Sequence, residues 1–364
     1  MIPDYAGANV RGIVPALLGP GSWATTLPSW MPAPVAAADH VCVLVLDGLG
    51  WDQLQDRLEL APTLAAMVGQ AITTVAPTTT ATALSSIVTG LTPGEHGLVG
   101  YRMMLGGEVL NVLRWVGATG DRRRAHPPRD VQPFPAFLGH HVPVVSPAEL
   151  EGSAFTEAHL RGSKPVGWRA ASAIPIEVRR QIEGGERVVY AYYGGIDKTA
   201  HERGFGEFYD AELRAADRLV ADVIAAVPAG TVVLVTADHG QVDVGERIVQ
   251  PRPDVLGLVA QQSGEGRFRW WHAVPGAAAD LLALAGEAYG DLAWVVSRQQ
   301  IVDEHWFGPT MAPPIVARLG DVALVAHEPV SFYDPQDSGP FELICRHGSL
   351  TSAELLVPLL AATA

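Results

Sequence analysis

Val41-Cys-Val-Leu-Val-Leu46 is an unbroken apolar run of strand length that stops at a carboxylate, Asp47. A strand apolar on both faces must be covered on both, the condition of a central strand in a parallel sheet. Val188–Tyr193 and Thr231–Thr236 read as strands too, and each is followed within a few residues by another acid, Asp197 or Asp238. Further strands are expected at Ala71–Ala76, Val142–Val145 and Val322–Ala326. Between them the pattern predicts helices at Ala61–Gln70, with Pro62 in its first turn, at Thr80–Thr89, closed by Gly90, and at Ala170–Glu183 and Phe208–Ala226. Others are expected at Ala277–Gly286, Leu292–Arg298 and Leu355–Ala361, the last behind a capping box, Thr351-x-x-Glu354. Strands alternating with helices predict an α/β fold, a mainly parallel central sheet with helices on both faces.

The chain has 364 residues, 48% hydrophobic and 18% charged. A sizeable core is therefore available, and a disordered or coiled-coil protein is disfavoured. A formal net charge of −14 argues against a nucleic-acid duplex or an anionic membrane as partner. It leaves an anionic substrate open, because bound dications reverse the local field. Two cysteines, Cys42 and Cys345, make no disulfide framework and read as core residues in a reducing compartment. The N-terminus lacks the basic-then-apolar order of a secretory signal, and no apolar run nears the roughly 18 residues of a membrane span. The expectation is a cytoplasmic protein. Residues 1–38, rich in Pro, Gly and Ala, predict an extension packed on the core. Tyr101 to about Asp130 reads as a hairpin and a long loop. Its basic stretch, Arg122-Arg-Arg-Ala-His-Pro-Pro-Arg129, is either a solvated loop or a lid that meets substrate phosphate.

Ligands of open parallel sheets bind beyond the carboxyl ends of the strands. Asp47 falls at that edge, although an Asp before Gly also makes an ordinary turn. Asp197 and His201 are four apart, which places both on one face of a helix. Asp238-His239-Gly240 delivers a carboxylate and an imidazole together, and both reach one metal only if the chain bends sharply, as Gly240 permits. Read singly, His239 is equally a hydrogen-bonded core histidine, and His347, between Arg346 and Gly348, a loop histidine. Oxygen and imidazole donors together suit Zn, Mn or Fe. Two sets of three would hold ions about 4 Å apart, the spacing that clamps both ends of a phosphoryl displacement. Thr78-Thr79-Thr80 places hydroxyls at a helix start, where first-turn amides favour negative charge. On the turn alone, helix capping is the simpler reading. Arg267-Phe-Arg-Trp-Trp-His272 either stacks a base beside a phosphate or is a strand with a packed aromatic face. Asp303-Glu-His-Trp-Phe307 reads as a surface element.

In their order these motifs resemble the alkaline phosphatase superfamily, and within it the type I phosphodiesterase/nucleotide pyrophosphatase family. The order is Leu46-Asp47-Gly48, Pro77 to Ile87-Val-Thr-Gly90, Pro93-Gly-Glu-His96-Gly97, Asp197-x-x-x-His201, Asp238-His239-Gly240 and His347-Gly348. The likeness spans roughly residues 40 to 350. It implies a single alkaline phosphatase-like catalytic domain over residues 39–364, with a loop or lid insertion at about 101–140 and a smaller substrate-side segment at about 250–320. It also implies two divalent ions, zinc or, as in some relatives, manganese. Asp197, His201 and His347 would hold one, and Asp47, Asp238 and His239 the other, with Thr80 bridging toward it. The family nucleophile stands seven residues before the Ile of Ile-Val-Thr-Gly, which is Thr80. His96 matches a family position and is given a structural role near its turn.

Two departures bear on the substrate. Diesterase members follow the nucleophile with Phe-Pro-Asn, where this chain has Ala81-Thr82-Ala83. They also carry a phosphoryl-binding Asn about twenty residues on, where this chain has Tyr101, with Arg102 beside it as a second candidate. The resemblance thus implies a hydrolase of phosphodiesters or nucleotide phosphoanhydrides acting through a phosphothreonine on Thr80. Its substrate would be a small phosphorylated molecule, with nucleotides among the candidates. The alternatives are a phosphomonoesterase or phosphonate hydrolase of the same superfamily, and a non-catalytic metal-stabilised binder of phosphorylated ligands.

Overall fold

The structure is a computed structural model and describes residues 1–20, 27–337 and 343–364. Its centre is a seven-stranded sheet: β1 (His40–Leu46), β2 (Val68–Thr73), β3 (Pro143–Pro147), β4 (Lys164–Trp168), β5 (Val188–Tyr193), β6 (Thr231–Thr236) and β7 (Leu356–Thr363). Their order across the sheet is β2-β7-β6-β1-β5-β3-β4. β1 pairs in parallel with β5 and β6, and β3 in parallel with β4 and β5. β7 runs antiparallel between β6 and β2. Six strands therefore point one way, and their carboxyl ends share one edge with the amino end of β7. That single reversal brings the segment before β7, which includes His347, to the edge where the other strands stop.

β1 and β6 are buried almost throughout, as continuous apolar runs flanked on both sides require. The helices that matter for the site are α1 (Thr80–Thr89), α2 (Ile174–Glu183), α3 (Gly195–Arg203) and α4 (Glu207–Ala226). α1 ends as its sequence predicts, with Gly90 at φ 74° closing on Ser86 O. A second, antiparallel sheet runs in the order Val259–Glu265, Phe268–Ala273, Val322–Ala326, Ala293–Ser297. The helix Ala278–Tyr289 packs on it over a separate cluster that includes Trp271, Leu281, Tyr289 and Phe332. No helix among the described residues is long and apolar enough to cross a membrane.

Several elements differ from expectation. Leu355–Ala361 is not a helix: one turn, Ser352–Leu355, leads straight into β7. Leu292–Arg298 is not helical either. Ala293-Trp-Val-Val-Ser297 pairs antiparallel with Val322–Ala326, where its β-branched residues fit a half-buried pleat. Ala61–Gln70 gives only the turn Pro62–Ala66, and the second strand starts early, at Val68. Gly69 lets β2 close on β7, since a Cβ there would lie 1.9 Å from Leu359 O. The stretch Arg267–His272 forms a packed strand, Phe268–Ala273, with Arg267 just before it and Trp270 and Trp271 buried. Trp306 and Phe307 also pack inside, so only part of 303–307 is surface.

Candidate active site

Each carboxyl end contributes a group at the shared edge. Asp47 follows β1, Asp238 and His239 follow β6, Asp197 and His201 lie on α3 after β5, and Thr80 opens α1 after β2. Two convergent sets result: Asp47, Asp238 and His239, and Asp197, His239 and His347, each with donor atoms within 4.8 Å of one another. The first is the set implied by the resemblance. The second has His239 where His201 was expected. His201 Nε2 stands 3.2 Å from Asp197 Oδ1, whereas the rings of His239 and His347 stack with centroids 3.7 Å apart.

Close packing at two glycines makes the convergence feasible. Gly48, at φ 76°, donates its N–H to Asp238 Oδ1 at 3.1 Å, and a Cβ there would collide with Gln241 and Asp197. Gly240 acts differently from expectation. Its φ is not left-handed, and its role is close approach, with Ala353 O 2.0 Å from where a Cβ would sit.

The electrostatics call for a cation. Burial, then the charges of Asp238 and Asp197, push Asp47 well above the usual carboxylate range. Burial raises Asp238 as well. Asp47 Oδ1 and Asp238 Oδ2 are buried without a hydrogen-bond partner. Burial would also raise Asp197, but the charge and hydrogen bond of His201 outweigh it and hold that carboxyl low. The same pairing raises His201 against the opposing effect of burial. Burial, then the charges of His239 and His201, push His347 down, which leaves it a neutral imidazole. Orphaned acid oxygens beside the His239 and His347 imidazoles form the donor chemistry of a divalent-ion site, so the residues present fit such an ion.

The three threonines have separate tasks. Thr78 Oγ1 donates to Ser349 O and accepts from Gly348 N–H, at 2.8 and 3.0 Å. Thr79 is the N-cap residue of α1 by position, but its side chain makes no cap; it bonds Glu265 instead. Thr80 Oγ1 is 3.1 Å from His239 Nε2 and faces a cavity of about 290 Å³. The capping reading therefore fails for Thr79, the residue at the cap position.

Tyr101 lines that cavity, its hydroxyl accepting from Asn111 Nδ2 at 2.7 Å. Arg102 does not: its guanidinium is buried against Asp334 and Asp337, each at 2.6 Å. None of the basic stretch 122–129 lines it either, and Arg122 pairs instead with Glu108. His96 is buried inside the fold, bonded to Ser86 at 2.9 Å. Cys42 and Cys345 are buried and free. Sequence reasoning missed Tyr192, whose hydroxyl donates to Asp47 Oδ2, and Gln241, which donates to Asp197 Oδ1 at 3.0 Å. It also missed Glu265, which burial pushes up to about 8. Gln241 stands two residues past His239, the only local signal among the three.

The model of the type I phosphodiesterase/nucleotide pyrophosphatase family matches residues 41–153 and 170–349. Among solved structures, murine ectonucleotide pyrophosphatase/phosphodiesterase 5, in an inactive form in complex with AMP, aligns over 88% of this chain and 87% of that one. The TM-score is 0.63 at 14% identity. Phosphonoacetate hydrolase from Sinorhizobium meliloti 1021, in complex with phosphonoacetate, aligns over 89% and 90% with a TM-score of 0.66 at 16% identity. The human form of the former protein aligns over 88% and 87% with a TM-score of 0.60, also at 16% identity. These likenesses establish the shared fold. No curated protein matches in sequence.

Proposed function

This chain belongs to the type I phosphodiesterase/nucleotide pyrophosphatase family, and from that premise we propose that it hydrolyses phosphodiesters or nucleotide phosphoanhydrides through a phosphothreonine on Thr80. The observation that carries the reading is the position of the Thr80 hydroxyl, 3.1 Å from His239 Nε2 on the wall of the cavity. Asp47, Asp238 and His239 would hold one divalent ion, and Asp197, His201 and His347 the other. Such ions, zinc first and manganese second by donor type, supply a lowered hydroxyl pKa and neutralise charge on the phosphoryl oxygens.

The chain's own groups do the rest. Thr80 Oγ1 attacks phosphorus in line, and the bond to the leaving oxygen breaks. Water then attacks the phosphothreonine and restores the hydroxyl. The Thr82 and Ala83 amides bond Thr79 O, so the Thr80 and Ala81 amides are the ones left at the start of α1 to bind the transferring group. Tyr101, with Asn111 occupying a lone pair of its oxygen, keeps its own proton to donate to a phosphoryl oxygen. The AMP bound to the murine structure and the phosphonoacetate bound to the bacterial one support a small phosphorylated substrate here.

Replacing Thr80 by Ala is expected to lower turnover by about 1,000-fold or more, with metal content near two per chain. Full activity in that variant would refute the mechanism. A second reading, a phosphomonoesterase or phosphonate hydrolase of the same superfamily, rests on Ala81-Thr82-Ala83 and Tyr101, which replace the residues that mark the diesterases. Parallel assays on a bis-aryl phosphodiester, an aryl monoester and phosphonoacetate separate the two readings. Turnover of none of the three by the metal-loaded protein would instead point to a binder.

A further inference from the structure

The cavity beside Thr80 holds a guanidinium that this mechanism does not use. Arg346 ends the short strand Cys345–Arg346, which pairs antiparallel with Val242–Asp243. Its Nε is buried without a hydrogen-bond partner, and among the described residues its side chain meets no carboxylate as an ion pair.

Neither acid on the same wall, Asp337 or Glu265, forms an ion pair with Arg346, and Glu265 Oε1 is itself buried without a hydrogen-bond partner. Asp337 pairs with Arg102 and with Arg269. Glu265 bonds Thr79 and lies 3.7 Å from His347 Nδ1. Arg346 shares the cavity lining with Asp197, His201 and His347. At the outer wall the exposed Arg114 adds a second cation. An anion arriving with the substrate is the counter-charge this arrangement lacks.

We propose that Arg346 binds a second acidic group of the substrate, carried beyond the phosphorus that Thr80 attacks. The substrate class is then one with two anionic centres: a phosphoanhydride, or a phosphate or phosphonate that also bears a carboxylate. This rests on the cavity being the phosphoryl-transfer site. The scissile phosphoryl already has the Thr80 and Ala81 amides and Tyr101, whereas a neutral second substituent would leave the half-buried guanidinium and its buried Nε unpaired.

Calorimetric titration of zinc-loaded Thr80→Ala protein, with and without Arg346→Gln, tests the proposal. The probes are methylphosphonate, phosphonoacetate and methylenediphosphonate, which share a phosphonyl group and differ in the second acid. Losing a charge-assisted bidentate contact is expected to weaken phosphonoacetate, methylenediphosphonate or both by about 10–100-fold, with methylphosphonate changed by less than about twofold. Whichever probe suffers the larger loss tells a carboxylate from a second phosphoryl. Equal loss on all three would assign Arg346 to the scissile phosphoryl and overturn the proposal, as would no loss on either two-acid probe. Arg346→Lys keeps the charge and loses the planar fork, so it should show a smaller loss confined to the same probes; a uniform loss there also overturns it. Turnover of a bis-aryl diester by protein with Thr80 intact is scored separately. A failed hydrolase reading therefore leaves the binding comparison standing.

Discussion

The three site imidazoles are fixed by one device. Nδ1–H of His201 donates to Cys345 O at 2.6 Å, that of His239 to Gly240 O at 3.0 Å, and that of His347 to Thr78 O at 2.8 Å. Each bond orients its ring and turns Nε2 toward the site, where His201 Nε2 meets Asp197 Oδ1 at 3.2 Å. Asp47 is oriented in the same spirit by the hydroxyl of Tyr192 on Oδ2, which leaves Oδ1 free. Tyr192→Phe removes that restraint and leaves a buried carboxylate oxygen unpaired. Metal affinity should fall about 10–100-fold, with far-UV circular dichroism unchanged, as read by competition with a chromophoric chelator. Unchanged affinity would mean that the end of β1 orients Asp47 without help. Asp47, Asp238 and His239 were legible because each follows an apolar run directly. Tyr192 was not, because a tyrosine inside a strand shows nothing in sequence of the acid it will meet 145 positions away.

At the scale of elements, the C-terminal segment shows how a local signal is overridden. Thr351-x-x-Glu354 has the spacing of a capping box, and Thr351 Oγ1 does donate to Glu354. The main work of that carboxylate lies elsewhere: it takes two bonds of 2.8 Å from the fully buried Arg267 and one from Ser349 N–H. The chain then extends as β7, with Pro358 placed where only β2 is paired, so its missing N–H costs no bond to β6. Helix propensity and an apolar run cannot distinguish this from a helix; the deciding partners are strands far away in the chain. Glu354→Gln leaves Arg267 buried beside a neutral amide and should cost about 3–5 kcal/mol in urea unfolding. Arg267→Met combined with Glu354→Leu should recover most of that loss. If the double variant is no more stable than Glu354→Gln alone, the pair does more than neutralise itself. The uninterrupted runs of β1, β5 and β6 were readable because burial on both faces leaves a composition that tolerates few alternatives. Ala293–Ser297 was not, because five residues carry too little periodicity to tell strand from helix.

The molecule as a whole buries several histidines outside the site in neutral form, and this sets its response to acid. Burial pushes His96 down to about 3, His159 to about 4 and His272 to about 4. In the unfolded chain each titrates near 6.5. Between about pH 6.5 and 4 the unfolded state therefore binds the extra proton, and stability falls as pH falls. The slope approaches about 1.4 kcal/mol per pH unit for each such histidine. His201 has the opposite sign, because its raised pKa gives stability that is lost as pH rises through it. A single wild-type profile mixes these contributions, and bound metal would add its own proton release. The clean measurement compares chelator-treated wild type with His159→Gln. His159 stacks on Phe155 with ring centroids 4.0 Å apart and donates Nδ1–H to Phe155 O, a bond that a glutamine amide can reproduce. The variant's unfolding free energy should fall less steeply between pH 6 and 5, by about one proton's worth of slope, with its value at pH 7.5 least affected. Parallel profiles would show that His159 takes up its proton in the folded protein as readily as in the unfolded chain, and would leave the acid sensitivity to His96, His272 and the groups at the sheet edge.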